Sequence, residues 1–206
     1  MEGRQIVPTA TREDAALRLA STLSTRLCHD VSGLLGTLAG VLDLIDEDPE
    51  ARGLATETVA VLIARVRLLR AAWGGGGGPM DGNLIATLAA GLPGFERLKL
   101  DVSALPGELA ETPARLTLCL LLAALPGMPR GGSIAIAGAP GGGARLILDG
   151  PGVGWTALTR RCAESDSACW EAADAPRDLA APLACLLAAS VGWRVSIEGR
   201  TATIGR

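Results

Sequence analysis

The sequence predicts an α+β protein, with an antiparallel helical hairpin first and an α/β sandwich after it. Apolar residues in the first third of the chain recur every three or four positions, which is the period of an amphipathic helix. Short alternating segments follow in the second half and are typical of strands. Five consecutive glycines, Gly74 to Gly78, followed by Pro79, separate the two patterns. We therefore expect a flexible tail at 1–12, the hairpin at 13–73, a glycine-rich linker at 74–80 and the sandwich domain at 81–206.

The hairpin consists of two predicted helices. The first runs from about Glu13 to Glu47. The second follows a turn in which Asp48 is a good N-cap and Pro49 suits the first helical position, and it continues to about Trp73. A connection this short predicts that the two helices are antiparallel.

Both helices carry more apolar surface than a lone hairpin covers. The first has a seam with heptad spacing, formed by Leu17, Ala20, Leu27, Val31, Leu34, Leu38, Val41 and Ile45. The second has a seam formed by Ala55, Val59, Leu62, Val66, Leu69 and Trp73. Further apolar residues are Leu19, Leu23, Leu35, Leu42 and Ile63. We therefore expect residues 13–73 of two copies to form a four-helix bundle in a homodimer.

Residues after the linker alternate between helical and strand patterns. Helices are predicted at 82–91, Thr112–Leu125 and 178–191. Strands are predicted at Leu98–Val102, Ser133–Ala137, Ala144–Leu148, Trp193–Ile197 and Thr201–Ile204. Residues 155–177 are polar and rich in alanine, and no element is predicted there. Helices packed on one face of a mixed sheet form the expected α/β sandwich.

Composition narrows the class of protein. The formal net charge is −3 and no long basic run occurs, which argues against a nucleic-acid binder. The N-terminus lacks a hydrophobic signal segment, and the longest apolar stretches, around 116–125 and 183–191, are too short to span a bilayer. The five cysteines lack the spacing of a metal site, and Cys119 and Cys185 lie in apolar runs. We expect a cytoplasmic protein with no bound metal, no membrane segment and no nucleic-acid partner.

The chain contains one histidine, His29, and the heptad places it at an f position, directed away from the apolar seam. Gly33, Gly36 and Gly40 follow on the same stripe of the helix. A glycine in the middle of a helix costs about 1 kcal/mol relative to alanine, so several on one face need a reason. We expect a partner to dock flat against this stripe and the neighbouring Ser32. The alternative is that the glycines allow tight packing against the second domain.

The segment Arg26-Leu27-Cys28-His29-Asp30, followed by Gly36 and the acidic hairpin turn, resembles the ChpT-type histidine phosphotransferases. The resemblance covers nearly the whole chain after residue 12. It implies a dimeric histidine bundle joined to a degenerate version of the ATPase domain of sensor histidine kinases. It also implies that His29 takes a phosphoryl group from a receiver-domain aspartate and passes it on. The implied partners are the receiver domains of a hybrid histidine kinase and of response regulators. This chain would bind no cofactor, since Mg²⁺ would come with the partner receiver domain.

Two side chains beside His29 suit phosphoryl transfer. Asp30 can accept one ring N–H and so fix the tautomer, which leaves the other ring nitrogen free to attack. Arg26, one turn earlier on the same stripe, can neutralise charge on the transferred group. The alternative is that both are ordinary solvated helix charges. The arginines of the second helix are interpreted as an exposed face: Arg65, Arg67 and Arg70.

Related kinases carry two motifs that bind ATP, an Asn before a Pro-x-Gly-Gly strand and an Asp-x-Gly-x-Gly box. Here the segment 129–134 matches the strand entry, and Ala123 occupies the Asn position. Leu148 occupies the Asp position, while Asp149 is one residue away and faces the opposite side of a strand. The resemblance therefore implies a phosphotransferase that is not an autokinase. Two alternatives stay open: an ATP-dependent sensor histidine kinase with a divergent nucleotide site, and a non-catalytic dimeric adaptor that binds receivers.

Overall fold

The computed structural model describes residues 9–74, 77–172 and 179–206, and for 9–12 it describes the backbone. The hairpin helices are α1 at Thr9–Leu42 and α2 at Ala51–Leu69, the latter followed by a π-helical turn at Arg70–Gly74. The remaining helices are α3 at Gly82–Ala89, α4 at Glu111–Ala124, α5 at Ala157–Glu164, α6 at Asp166–Glu171 and α7 at Ala180–Ser190. The strands are β1 at Leu98–Ala104, β2 at Gly132–Ala139, β3 at Gly143–Asp149, β4 at Arg194–Glu198 and β5 at Thr201–Gly205.

The first helix begins earlier than the sequence predicts. Because α1 starts at Thr9, the prediction of a tail is wrong for residues 9–12. Residues 9–12 include no glycine or proline. Nothing in their sequence therefore interrupts the helix between Pro8 and the predicted start at Glu13. The rest of the predicted tail, 1–8, lies outside the described residues.

The turn between the hairpin helices is longer than predicted. The helix α1 ends at Leu42 rather than at Glu47, and the N–H of Ile45 already bonds to the oxygen of Leu42, three residues back, at 3.2 Å. Asp48 accepts a hydrogen bond from the N–H of Glu50 at 2.9 Å, the bond expected of a capping residue. Regular helix nevertheless begins only at Ala51.

The sheet confirms the predicted α/β sandwich. Its strand order is β1-β2-β3-β5-β4, with β1 parallel to β2 and every other pair antiparallel. Side chains of β3 alternate between the two faces: Ala144, Leu146 and Leu148 are buried, whereas those between them are exposed. The buried face packs against α4, of whose fourteen residues ten are buried. Helices on one face of a mixed sheet therefore form the core.

Two short helices occupy a region in which the sequence predicts no element. The helix α5 begins at a cap, because the side chain of Thr156 accepts a hydrogen bond from the N–H of Thr159 at 3.1 Å. Each short helix buries a cysteine, Cys162 in α5 and Cys169 in α6. Only the part up to residue 172 of the predicted unstructured region is described; 173–177 lies outside the described residues.

The predicted linker is shorter than 74–80. Its last residue, Met80, is buried and forms an antiparallel bridge with Leu109, with two backbone hydrogen bonds of 2.9 Å. Gly74 completes the π-helical turn after α2, and Gly75 and Gly76 lie outside the described residues. The large apolar side chain of Met80 explains why the second domain begins before residue 81.

Among the described residues, the hairpin contacts the second domain in three regions. Near its start, Leu19 and Leu23 of α1 pack with Trp170 and Leu179. In the middle of α2, a Cβ at Gly91 would overlap the carbonyl oxygen of Ala64, so the backbones touch. In the π-helical turn that follows the end of α2, the carbonyl oxygens of Ala72 and Trp73 accept from Arg115 of α4 at 3.0 Å and 2.8 Å. These contacts set the position of the second domain against the histidine-bearing helix.

Candidate functional site

The side chain of His29 projects from α1 into solvent. It is 80% exposed, which agrees with the f position assigned from the heptad pattern. A rigid helix that presents an exposed imidazole leaves it accessible to another macromolecule. An uncharged imidazole is a competent nucleophile near neutral pH.

Asp30 lies directly beside His29 and pairs with Arg26. The Nδ1 atom of His29 is 3.4 Å from Oδ1 of Asp30, longer than a typical hydrogen bond. The other carboxylate oxygen, Oδ2, accepts from Nε of Arg26 at 3.1 Å, one helical turn away. Asp30 is only 16% exposed, so this carboxylate is largely shielded from solvent. The geometry leaves the second ring nitrogen, Nε2, as the atom for attack.

The glycine stripe beside His29 is open. A Cβ built at Gly33, Gly36 or Gly40 meets no atom within 4 Å. The alternative that these glycines pack against the second domain is therefore wrong in the described structure. Ser32 is also exposed. The stripe thus offers a flat strip of helix surface next to the histidine.

A cavity of about 320 Å³ lies between the hairpin and the second domain, next to this site. Its charged lining consists of Arg26, Asp30, Arg65 and Arg97. The remaining lining is largely apolar and includes Leu69, Trp73, Leu122, Leu125, Met128 and Leu179. Residues of both the hairpin and the second domain therefore line this cavity, together with the carboxylate of Asp30 beside His29.

Arg65 was interpreted from the sequence as part of an exposed face, and the structure corrects this. Its side chain is half-buried, and its Nε donates to the carbonyl oxygen of Gly91 in the second domain. Burial lowers the pKa of Arg65, Asp30 opposes this shift by attraction, and Arg26 adds to it by repulsion. The helical pattern around Arg65 does not reveal this burial, because the burial depends on the turn at Gly91, which is distant in sequence but contacts α2.

The two positions that the sequence resemblance aligns with ATP-binding residues of kinases carry no polar side chain. Ala123 and Leu148 are both buried, at 3% and 1% exposure. Asp149 projects from the opposite face of β3 and pairs with Arg200 at 3.0 Å. The loop after β3 is closed onto the turn after α4, since the N–H of Gly154 donates to the oxygen of Gly127 at 3.1 Å.

Fold and site together define an α+β protein that presents its single histidine, exposed, on a helical hairpin. The family model for the histidine phosphotransferase C-terminal domain matches residues 83–203. The chain therefore belongs to the histidine phosphotransferase family.

The fold is also similar to that of a solved structure described as a bacterial phosphotransferase at 1.7 Å. The TM-score is 0.69 and the sequence identity is 21%, and the match covers 98% of this chain and 100% of that one. No curated protein sequence matches the chain. Within the described residues, no helix is both long enough and apolar enough to cross a membrane.

Proposed function

We propose that this protein is the histidine phosphotransferase of a two-component phosphorelay. It accepts a phosphoryl group from a receiver-domain aspartate on His29 and passes it to the receivers of response regulators in the cytoplasm. The observation that carries the proposal is the exposed imidazole of His29 with its Nδ1 held near Asp30. The family match supports phosphotransfer in general.

The proposed step is a displacement at phosphorus. The lone pair on Nε2 of His29 attacks the phosphorus of the aspartyl phosphate, an N–P bond forms, and the P–O bond to the aspartate breaks. The aspartate carboxylate is the leaving group. The proton on Nδ1 stays in place, and the carboxylate of Asp30 stabilises the positive charge that develops on the ring. The reverse step delivers the group to the next receiver, and the receiver supplies the Mg²⁺.

Arg26 and the glycine stripe have supporting roles in this proposal. Arg26 holds Asp30 and brings positive charge to within one turn of the transferred group. Gly33, Gly36 and Gly40, with Ser32, form the docking surface on which the receiver approaches His29. The absence of neighbours around these glycines supports close approach of a partner backbone.

The phosphoryl group comes from a partner and not from ATP in this proposal. The apolar residues at the two kinase positions, Ala123 and Leu148, support it, because they offer no ligand for Mg²⁺ or adenine.

The proposed working form is a homodimer. The hairpin exposes large apolar side chains that a second copy would cover: Leu35, Leu42, Leu54, Val59, Val61, Ile63 and Val66. A four-helix bundle formed by two hairpins would bury these side chains.

A transfer assay tests the function. A phosphorylated receiver domain is mixed with the wild-type protein, with a His29→Ala variant and with a Cys28→Ala control, which changes the adjacent exposed residue. Wild type and control should acquire acid-labile phosphate, whereas the His29→Ala protein should acquire none. Autophosphorylation with Mg²⁺-ATP would instead indicate a histidine kinase. Receiver binding without any transfer by the wild type would indicate an adaptor.

A further inference from the structure

Arg65 is the charged side chain that connects the second domain to the histidine site. Its Nε donates to the carbonyl oxygen of Gly91, which lies in the turn after α3. Gly91 is buried and packs so closely on α2 that no side chain fits between it and Ala64. The position of the guanidinium on α2 is therefore tied to the second domain.

The same guanidinium acts on Asp30. Arg65 and Asp30 line one cavity, and their attraction partly offsets the desolvation of Arg65. A planar guanidinium has several N–H donors in a fixed arrangement, so the group that contacts Gly91 can direct its remaining positive charge elsewhere. Within the described residues no hydrogen bond or ion pair joins Arg65 to Asp30, so its charge acts on the carboxylate across the cavity that both line.

Asp30 consequently has Arg26 and His29 as direct neighbours and shares its cavity with Arg65. Oδ2 accepts from Arg26 at 3.1 Å, and Oδ1 is 3.4 Å from Nδ1 of His29. Arg26 alone lies on the same helix as Asp30 and is itself 35% exposed. Arg65, unlike Arg26, is bonded to the second domain through Gly91, so the charge that it presents to the cavity is positioned from outside α1.

We propose that Arg65 is a positioning residue whose charge, acting across the shared cavity, keeps Asp30 in the orientation that faces Nδ1 of His29, and that it couples this orientation to the second-domain turn at Gly91. The proposal rests on the phosphotransfer function proposed above and adds a role for the second domain in preparing the nucleophile. A purely structural clamp between α2 and Gly91 is the competing explanation. It would affect stability but not the tautomer of the histidine.

Two measurements separate these explanations. Because the chain has a single histidine, ¹⁵N NMR of labelled protein reports the tautomer of His29 without ambiguity. Rapid-quench transfer from a phosphorylated receiver reports the rate. The variants are Arg65→Met, Arg65→Lys, Asp30→Asn, the Arg65→Met/Asp30→Asn pair, and Arg67→Met as the matched control on the exposed side of α2. Thermal unfolding shows that each protein is folded.

We expect Arg65→Met to shift the tautomer of His29 away from the Nδ1–H form and to slow transfer by about tenfold, the size of a typical coupling between interacting residues. Arg65→Lys should change the tautomer and the transfer rate less than Arg65→Met does, because lysine keeps the charge but lacks the planar donor arrangement. Arg67→Met should change neither. Arg65→Met should have little further effect in the Asp30→Asn background, because both changes act through one carboxylate.

Several outcomes would overturn the proposal. One is an Arg65→Met protein with the tautomer and rate of the Arg67→Met control. Another is slower transfer by the Arg65→Met protein with an unchanged tautomer. A third is an effect of Arg65→Met on transfer that adds independently to the effect of Asp30→Asn. Either of these two results would indicate a structural clamp. If the wild type accepts no phosphoryl group, the proposed function fails instead. The tautomer comparison still decides whether Arg65 positions Asp30.

Discussion

Cys28 is exposed on α1, whereas Cys119, Cys162, Cys169 and Cys185 are buried. Burial raises the pKa of the Cys119 thiol to about 12, and nearby Arg115 opposes part of this shift. The pKa of this thiol in the folded state lies above its ordinary pKa. The stabilisation that comes from keeping the thiol neutral is therefore complete when the pH is below the ordinary pKa. This contribution is lost as the pH rises toward the folded-state value. Because the thiolate is the reactive form, Cys119 stays inert at neutral pH.

The reactivity of the cysteines gives a prediction at this scale. At pH 8, a disulfide reagent such as dithiobis(nitrobenzoate) should titrate one fast thiol in the folded protein and all five after denaturation. In a Cys28→Ser variant the fast phase should disappear, because the remaining thiols are buried. A fast phase that persists in this variant would show that a buried cysteine becomes accessible in the native state.

Individual site residues differ in how far the sequence predicts them. The exposure of His29 follows from the heptad, because an f position on a helix is determined by local periodicity. The contact between Arg26 and Asp30 also follows from helical spacing. The burial of Arg65 does not, because it requires the turn at Gly91, which is brought to α2 only by the tertiary fold.

The glycine stripe gives this part of α1 a low helix propensity, and its surface is not covered by other side chains. Gly36 has no neighbour around its missing Cβ, so a Gly36→Ala change introduces no clash and removes backbone freedom from the unfolded chain. We expect it to increase the free energy of unfolding by up to about 1 kcal/mol, measured by urea denaturation, while transfer from a receiver becomes slower.

Gly53 in α2 is the matched control for this change, because it is also helical and also lacks neighbours within 4 Å. Gly53→Ala should stabilise the protein similarly and leave transfer unchanged. Equal transfer rates for the two variants would show that the glycine stripe has no role in docking.

The type of an element could be predicted from the sequence where one period dominates, whereas the exact residues at which it begins and ends could not. The strand β3 and the apolar helix α4 lie within a residue or two of their predicted positions. The short helices α5 and α6 were missed, because they have only eight and six residues and a largely polar sequence, and each buries few side chains besides a cysteine. The Thr156 cap was the available signal for α5.

Association of two chains is expected at the scale of the whole molecule. Ile63 on α2 is 45% exposed, and we expect it to be covered in the homodimer. An Ile63→Glu change should therefore convert a dimer into a monomer, because it would bury an unpaired charge in the bundle. Light scattering coupled to gel filtration measures the mass directly.

Ile147 is the matched control, since it is the same residue type, is 40% exposed and lies on the open face of the sheet. Ile147→Glu should leave the dimer intact. A wild-type protein that is monomeric at micromolar concentration, or a dimer that survives Ile63→Glu, would contradict the proposed bundle.

The fold class and the family could be anticipated from the whole chain, because a histidine helix, a glycine run and a mixed α and β region occur in that order. The relative placement of the two parts could not. It depends on Trp170, Gly91 and Arg115, whose contacts with the hairpin involve no sequence pattern.

These three attachments lie at the start of α1, in the middle of α2 and in the π-helical turn that follows α2. Attachment at separate points removes the rotation that a single hinge would allow. A partner whose footprint spans both the hairpin and the second domain then meets a surface whose two parts are already aligned. Association then costs no additional entropy for aligning these two parts, which favours fast and tight binding of such a partner.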